Sequence, residues 1–111
     1  FADAAQTIGV GAAFTNNGSS DAVNMGPPNQ PAFTISAASI GKAIGEGSPT
    51  DSAPIAWAAD AGSIVASSGD LGVTFGFIRA HKPETGRPGA TPFITVWRRA
   101  SVNDPWRYVA E

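Results

Sequence analysis

The sequence predicts an α+β domain in which two helical segments precede an antiparallel meander. Three observations carry this. Residues 1–14 and 37–44 place apolar side chains at helical spacing. Residues 55–111 alternate with period two between turn signals. Stretches rich in Gly, Pro and Asn at 16–18, 26–33, 45–54 and 82–90 separate these segments. Runs of helix followed by runs of strand favour α+β over an alternating α/β chain.

In the first segment, Phe1, Ala5, Ile8 and Ala12 form one apolar stripe. Gly9 and Gly11 weaken that helix by about 1 kcal/mol each relative to Ala, so it needs tertiary support, with the glycines packing closely on a sheet or a ligand. Asn16-Asn17-Gly18 stops it, and Asn17 or Gly18 suits the left-handed residue at its end. Asp21–Met25 is a short strand with Asp21, Val23 and Met25 on one side and Ala22 and Asn24 on the other. The proline-bearing loop 26–33 reads as irregular. Ser36 is the N-cap of a second helix whose apolar face is Ala37, Ile40, Ala43 and Ile44, ended by Gly45, Gly47 and Pro49.

The meander starts with a long strand, Ile55–Ser67, in which Gly62-Ser63 marks a bulge or bend. Ser68-Gly69-Asp70 is a hairpin turn. The strand Leu71–His81 sets Val73, Phe75 and Phe77 on one face and Thr74, Gly76 and Ile78 on the other. A polar loop through Ala90 leads to the strand Pro92–Ala100, then a turn at Asn103-Asp104-Pro105 and the last strand, Trp106–Glu111. If Ala100 opposes Pro105, then Trp97 faces Tyr108, Arg98 faces Arg107, and Arg99 lies on Trp106.

The bulk numbers narrow the functional classes. The length of 111 residues fits one domain over residues 1–111. A net charge of −2 with both signs scattered leaves no basic stripe for a nucleic acid. Charged residues make up 14%, so Ser, Thr, Asn, Gln and Gly must cover the surface, a composition common in exported proteins. With no Cys, disulfides, thiolate metal sites and Cys nucleophiles are excluded. No apolar run approaches the ~18 residues that span a bilayer. The chain opens on Phe1 and has its one Met at position 25, so the natural start is expected upstream, and exported and cytoplasmic locations both stay open.

No catalytic motif of high specificity is present, so candidates are single residues. Asp60 lies among Ala, Trp and Ile; pointed into a cavity it would be a general base, and pointed outward a solvated or capping carboxylate. Asn24 could bond a pocket ligand or, with Asp21, stabilise a turn. The lone His81 could shuttle protons or sit solvated at a strand end. Trp97, Trp106 and Tyr108 make an aromatic face that is a cavity wall, a dimer surface or core. Gly72-x-x-x-Gly76 lacks the Lys-Ser/Thr of a phosphate loop.

The run Trp57 … Ser68-Gly-Asp-Leu-Gly-Val-Thr-Phe-Gly76 … Phe93-Ile-Thr-Val-Trp-Arg-Arg99 … Trp106-Arg-Tyr-Val-Ala-Glu111 resembles the SnoaL-like branch of the nuclear transport factor 2-like superfamily, specifically its bacterial domains of unknown function. The resemblance is specific over residues 57–111. It implies a curved antiparallel sheet forming a cone-like half-barrel around N-terminal helices, a cystatin-like α+β roll. It also implies an apolar pocket at the open end, a homodimer through the sheet and no cofactor. On this reading the partner is a small apolar molecule, lined by Asn24, Trp57, Thr74, Trp97, Arg99, Tyr108 and Glu111. Asp60 is the first candidate for chemistry, as the base of a cofactor-independent isomerase, dehydratase or hydrolase. The chain has Glu111 where the family tends to have Asp, and its one Tyr is on the last strand rather than a helix. A third reading is a structural dimerisation module.

Overall fold

The computed structural model describes residues 10–25, 32–45, 55–80, 85–86 and 89–111. Among these described residues two helices, α1 (Val10–Asn17) and α2 (Ala37–Gly45), accompany six strands: β1 (Gly18–Met25), β2 (Phe33–Ile35), β3 (Ile55–Val65), β4 (Leu71–Ala80), β5 (Ala90–Arg98) and β6 (Arg107–Ala110). The strands form one open sheet in the order β2-β1-β6-β5-β4-β3. The fold is therefore α+β, and β3 to β6 form the expected meander. The sheet is mixed rather than wholly antiparallel, because β1 runs parallel to β6. That pairing joins Gly18 to Tyr108, a contact that no local turn can specify.

Several local expectations change. The first helix continues to Asn17 and passes directly into β1. Neither Asn17 nor Gly18 is left-handed; instead the Asn17 side-chain amide donates to the Ala13 carbonyl at 2.8 Å. Phe1, Ala5, Ile8 and Gly9 lie outside the described residues. The close approach that glycine permits in this part of the chain is between the two helices, and the glycine that requires it is Gly41. A Cβ on Gly41 of α2 would meet the Gly11 carbonyl at 2.6 Å, so the two helix backbones nearly touch. A strand that the sequence did not announce, β2, begins at Phe33, the last residue of the expected loop, and pairs with β1 through Val23–Ile35, Asn24–Thr34 and Met25–Phe33. Ser36 caps α2 as expected: its Oγ accepts from the Ser39 N–H at 3.2 Å.

The expected bulge in β3 lies just before Gly62-Ser63, which are themselves paired with Phe75 and Thr74, and spans three residues. Ala58 opposes Phe77 and Gly62 opposes Phe75, so Ala59, Asp60 and Ala61 all lie against Gly76 alone. Only glycine fits there, because a Cβ would stand 2.0 Å from the Ala58 carbonyl and 2.8 Å from the Asp60 nitrogen. The bulge bends the strand.

The bend lets the sheet curl over α1. Phe14 meets Tyr108 of β6 at 5.5 Å between ring centroids and Trp57 of β3 at 6.2 Å. Those strands are three positions apart in the sheet, about 14 Å if it were flat. Phe14, Ala22, Ala37, Ile40 and Tyr108 form the buried cluster, with Val10, Ile44, Trp57 and Trp97 packed around it. A large apolar side chain such as Phe14 or Ile40 contributes about 1.5–3 kcal/mol by leaving water. The other face of the sheet has no cover among the described residues: Ile64, Leu71, Phe77 and Ile94 are all exposed there.

Candidate functional site: a polar row beneath an aromatic cluster

The strand registers build the site. Thr74 of β4 stands opposite Thr95 of β5, and Ser63 of β3 opposite Thr74. On the far side Thr34 of β2 opposes Asn24 of β1. Glu111, the residue after β6, closes the gap. Its N–H donates to the Val23 carbonyl and its own carbonyl accepts from Met25 N–H, both at 3.1 Å, so it lies level with Asn24 in the parallel ladder. Thr95 Oγ1 donates to Glu111 Oε2 at 2.5 Å. One polar residue from every strand position, Thr34, Asn24, Glu111, Thr95, Thr74 and Ser63, thus runs across the helix-facing side of the sheet. Paired residues share a face, which is why the row is continuous.

Aromatic rings bracket this row. Trp97 and Tyr108 form the next pair along β5 and β6, edge to face at 6.3 Å. Trp57, opposite Ile78, lies beyond the row, and Phe14 links it back to Tyr108. Thr95 is left only 1% exposed. Trp97 Nε1–H donates to Thr74 Oγ1 at 2.9 Å and ties the cluster to the row. Tyr108 donates its hydroxyl to the Phe14 carbonyl at 2.6 Å. Burial, and then the charge of Glu111, raise the Tyr108 pKa well above the ordinary phenol, so that proton stays.

Glu111 is the unusual member. Burial of its carboxyl pushes the pKa up to about 7, and the Thr95 hydrogen bond only partly offsets this. A carboxylic acid poised near neutrality can accept, hold or give a proton at physiological pH.

Beside the row an open cleft of about 370 Å³ is lined by Ser63, Val65, Gly72, Thr74, Trp97 and Trp106. Its walls are mostly apolar side chains, and its polar edge is the Ser63–Thr74 end of the row. Gly72, with no side chain to fill the space, leaves the ring of Trp106 as a wall.

The residues expected to bind a ligand therefore divide. Asn24, Glu111 and Thr74 belong to the row, and Trp97 joins row to cleft. Trp57 and Tyr108 are packed against Phe14. Arg99 is engaged elsewhere: its Nε–H donates to the Gly69 carbonyl at 2.7 Å, one terminal nitrogen donates to Val102 at 3.1 Å, and its plane covers Trp106 at 4.2 Å. Asp60 sits in the exposed bulge, paired with Arg79 at 2.9 Å. Asp21 is on the opposite face, where Arg98 and then Ser19 hold its carboxyl down at about 2. His81 lies outside the described residues.

Thr95, Ser63 and Gly72 were missed by sequence reasoning. The Ala100–Pro105 register holds for Trp97–Tyr108 and Arg98–Arg107, but a shift follows it and sets Val96 opposite Ala110. That shift brings Thr95 level with Glu111, and nothing in the sequence marks it. Among the described residues no group of three His, Asp or Glu could hold a metal, and no helix is long and apolar enough to cross a membrane. Comparisons with protein-family models, with curated proteins and with solved structures find no match.

Proposed function

We propose that the protein is a small-ligand-binding domain of the SnoaL-like kind, a cone-like cystatin-type roll that takes an apolar molecule between Trp97 and Trp106. The apolar cleft floored by Gly72 and edged by Thr74 is the observation that supports this reading. Two indoles on one small cleft suit a flat or chain-like apolar body, and the row supplies a few polar groups to orient it. The test is titration with a naphthalene sulfonate dye and with n-octanol while tryptophan emission is followed. Saturable quenching is expected, weakened about tenfold by Trp106→Ala, or ~1.4 kcal/mol. The absence of any saturable change up to millimolar probe would overturn the reading.

A second reading has an observation of its own. Glu111, poised near neutrality under the aromatic cluster, suits a general base of a cofactor-independent isomerase, dehydratase or hydrolase better than the ion-paired Asp60 does. The exposed Ile64, Leu71, Phe77 and Ile94 support a homodimer through the uncovered sheet face. Sedimentation as a monomer at micromolar concentration would remove the dimer from the reading.

A further inference from the structure

The cleft beside the row has a floor and a polar edge that together define what fits it. The floor is Gly72 of β4, with Val65 of β3 on one side and Trp106, just before β6, reaching over from the other. A carbon attached to Gly72 would touch Val65 at 3.6 Å and Trp106 at 3.7 Å, both ordinary contacts. The space at the floor is therefore about one carbon thick, which a flat ring fills and a puckered ring does not. None of the described residues that line the cleft is charged, so the part of a ligand inside it carries no charge either. Two indoles on one cleft would also suit a cation, but Trp106 already holds one: the Arg99 guanidinium lies 4.2 Å from its ring centre. That cation draws electron density from the indole, so an electron-rich ring is the better partner on the cleft side.

The polar edge is a pair of hydroxyls. Ser63 and Thr74 oppose each other across β3 and β4, about 5 Å apart on one face. Thr74 Oγ1 accepts from Trp97 Nε1–H at 2.9 Å, and its own hydroxyl proton has no acceptor among the described residues. The Ser63 hydroxyl has no hydrogen-bond partner among them either. One donor facing one free hydroxyl matches a single ligand hydroxyl that accepts from Thr74 and donates to Ser63. Thr74 is two residues along β4 from Gly72, about 7 Å, which is the reach of one or two fused rings.

We infer that the cleft takes an uncharged, electron-rich aromatic alcohol of the phenol or naphthol type, its ring over Gly72 between Val65 and the two indoles and its hydroxyl bridging Thr74 and Ser63. The inference rests on the ligand-binding reading above and names its ligand class. A volume of about 370 Å³ is at the small end of ligand sites, which run from ~300 to 1,000 Å³, and suits one or two rings rather than a larger body. Gly72 selects for flatness, the hydroxyl pair fixes orientation, and Arg99, acting through Trp106, disfavours a second cation.

Three bicyclic probes separate flatness from charge: 2-naphthol, its saturated counterpart decahydro-2-naphthol, and 2-naphthylmethylammonium, each titrated by calorimetry against the full chain at neutral pH. 2-Naphthol should bind about tenfold more tightly than the saturated alcohol, which cannot stack, and about tenfold more tightly than the ammonium. Gly72→Ala adds a methyl group that overlaps nothing, so the unfolding midpoint should not fall, yet it raises the floor and should weaken 2-naphthol about tenfold. Ser63→Ala, at an exposed strand position, should weaken 2-naphthol about fivefold and leave 2-methylnaphthalene, which has no hydroxyl, unchanged; it serves as the second variant if Gly72→Ala does not fold. If the saturated alcohol binds as tightly as 2-naphthol, the aromatic assignment is wrong and the apolar cleft stands. If the ammonium binds best, the charge assignment is wrong. If neither variant alters 2-naphthol affinity, the ring does not stand over Gly72 and the assignment falls. If n-octanol binds and 2-naphthol does not, the assignment falls alone; if neither binds, the ligand-binding reading falls with it.

Discussion

Glu111 and Asp21 lie on neighbouring stretches of the sheet and differ in everything but their carboxyl group. Glu111 faces the helices, accepts one neutral hydroxyl and titrates at about 7. Asp21 faces the other way, pairs with the Arg98 guanidinium at 2.7 Å and with Ser19, and titrates at about 2. The two faces are not simply apolar and polar. Exposed apolar side chains occupy the outer face, and a row of hydroxyls and amides crosses the inner one. What distinguishes the faces, among the described residues, is how each treats a charge: the outer face supplies arginines in water, and the inner face supplies burial without a cation.

The largest test of that difference is truncation on either face. Tyr108→Ala removes a fully buried ring and its hydrogen bond to Phe14, and should cost about 4 kcal/mol in denaturant unfolding. Ile94→Ala, on the open face, should cost under about 1 kcal/mol. Equal costs would mean that the outer face is covered in solution. Next comes Gly76→Ala, which drives a methyl group into the Ala58 carbonyl of the bulge and should cost about 3 kcal/mol. A silent substitution there would mean that the bulge does not hold the bend.

Glu111→Gln should have a smaller effect, and one that depends on pH. In the native protein Glu111 keeps its proton up to about 7, whereas in the unfolded chain it loses it at about 4.5. Between those values the native state binds more protons, so stability falls as pH rises and levels off above about 7. The fall should amount to about 2 kcal/mol after allowance for the carboxyl's partial exposure. Glu111→Gln should flatten that slope and be the more stable protein at pH 8, as read by thermal unfolding at pH 5 and pH 8. Asp21→Asn should give the smallest change and the opposite sign. The native Asp21 carboxylate contributes stability above its unfolded value of 3.8, lost as pH falls toward 2, so Asp21→Asn should lower the neutral-pH midpoint slightly and converge with the unchanged protein near pH 2. A large shift of the neutral-pH midpoint in that variant would show that the Arg98 pair matters more than its exposure suggests.

The meander could be read from the sequence because its information is local. Turn residues at 68–70 and 103–105 set the hairpins, and alternation did the rest, down to the Trp97–Tyr108 pair and the Arg99 contact on Trp106. The parallel joining of β1 to β6 could not be read, because no turn links Gly18 to Tyr108. β2 stayed hidden because Phe33 and Ile35 are exposed and follow a proline-bearing stretch. At the site, Asp60 drew attention by standing in an apolar run, yet its bulge lifts it out to Arg79. Glu111 and Asn24 were named as separate pocket residues. That they are neighbours follows only from the long-range ladder, and Thr95 between Glu111 and Thr74 looks like any strand threonine.

The parallel union of β1 and β6 also bears on the order of assembly. The strands β3 to β6 pair with their neighbours in sequence, so their hairpins can form early. β1 can dock only after the whole meander exists, because its partner is the last strand. Until then Tyr108 lacks both Phe14 and Gly18 as neighbours, and the carboxyl of Glu111 remains in water. The polar row, the aromatic cluster and the proton held by Glu111 should therefore come into being in one late kinetic step. Stopped-flow refolding should show tryptophan burial and proton uptake rising together at pH 6, with the same rate constant.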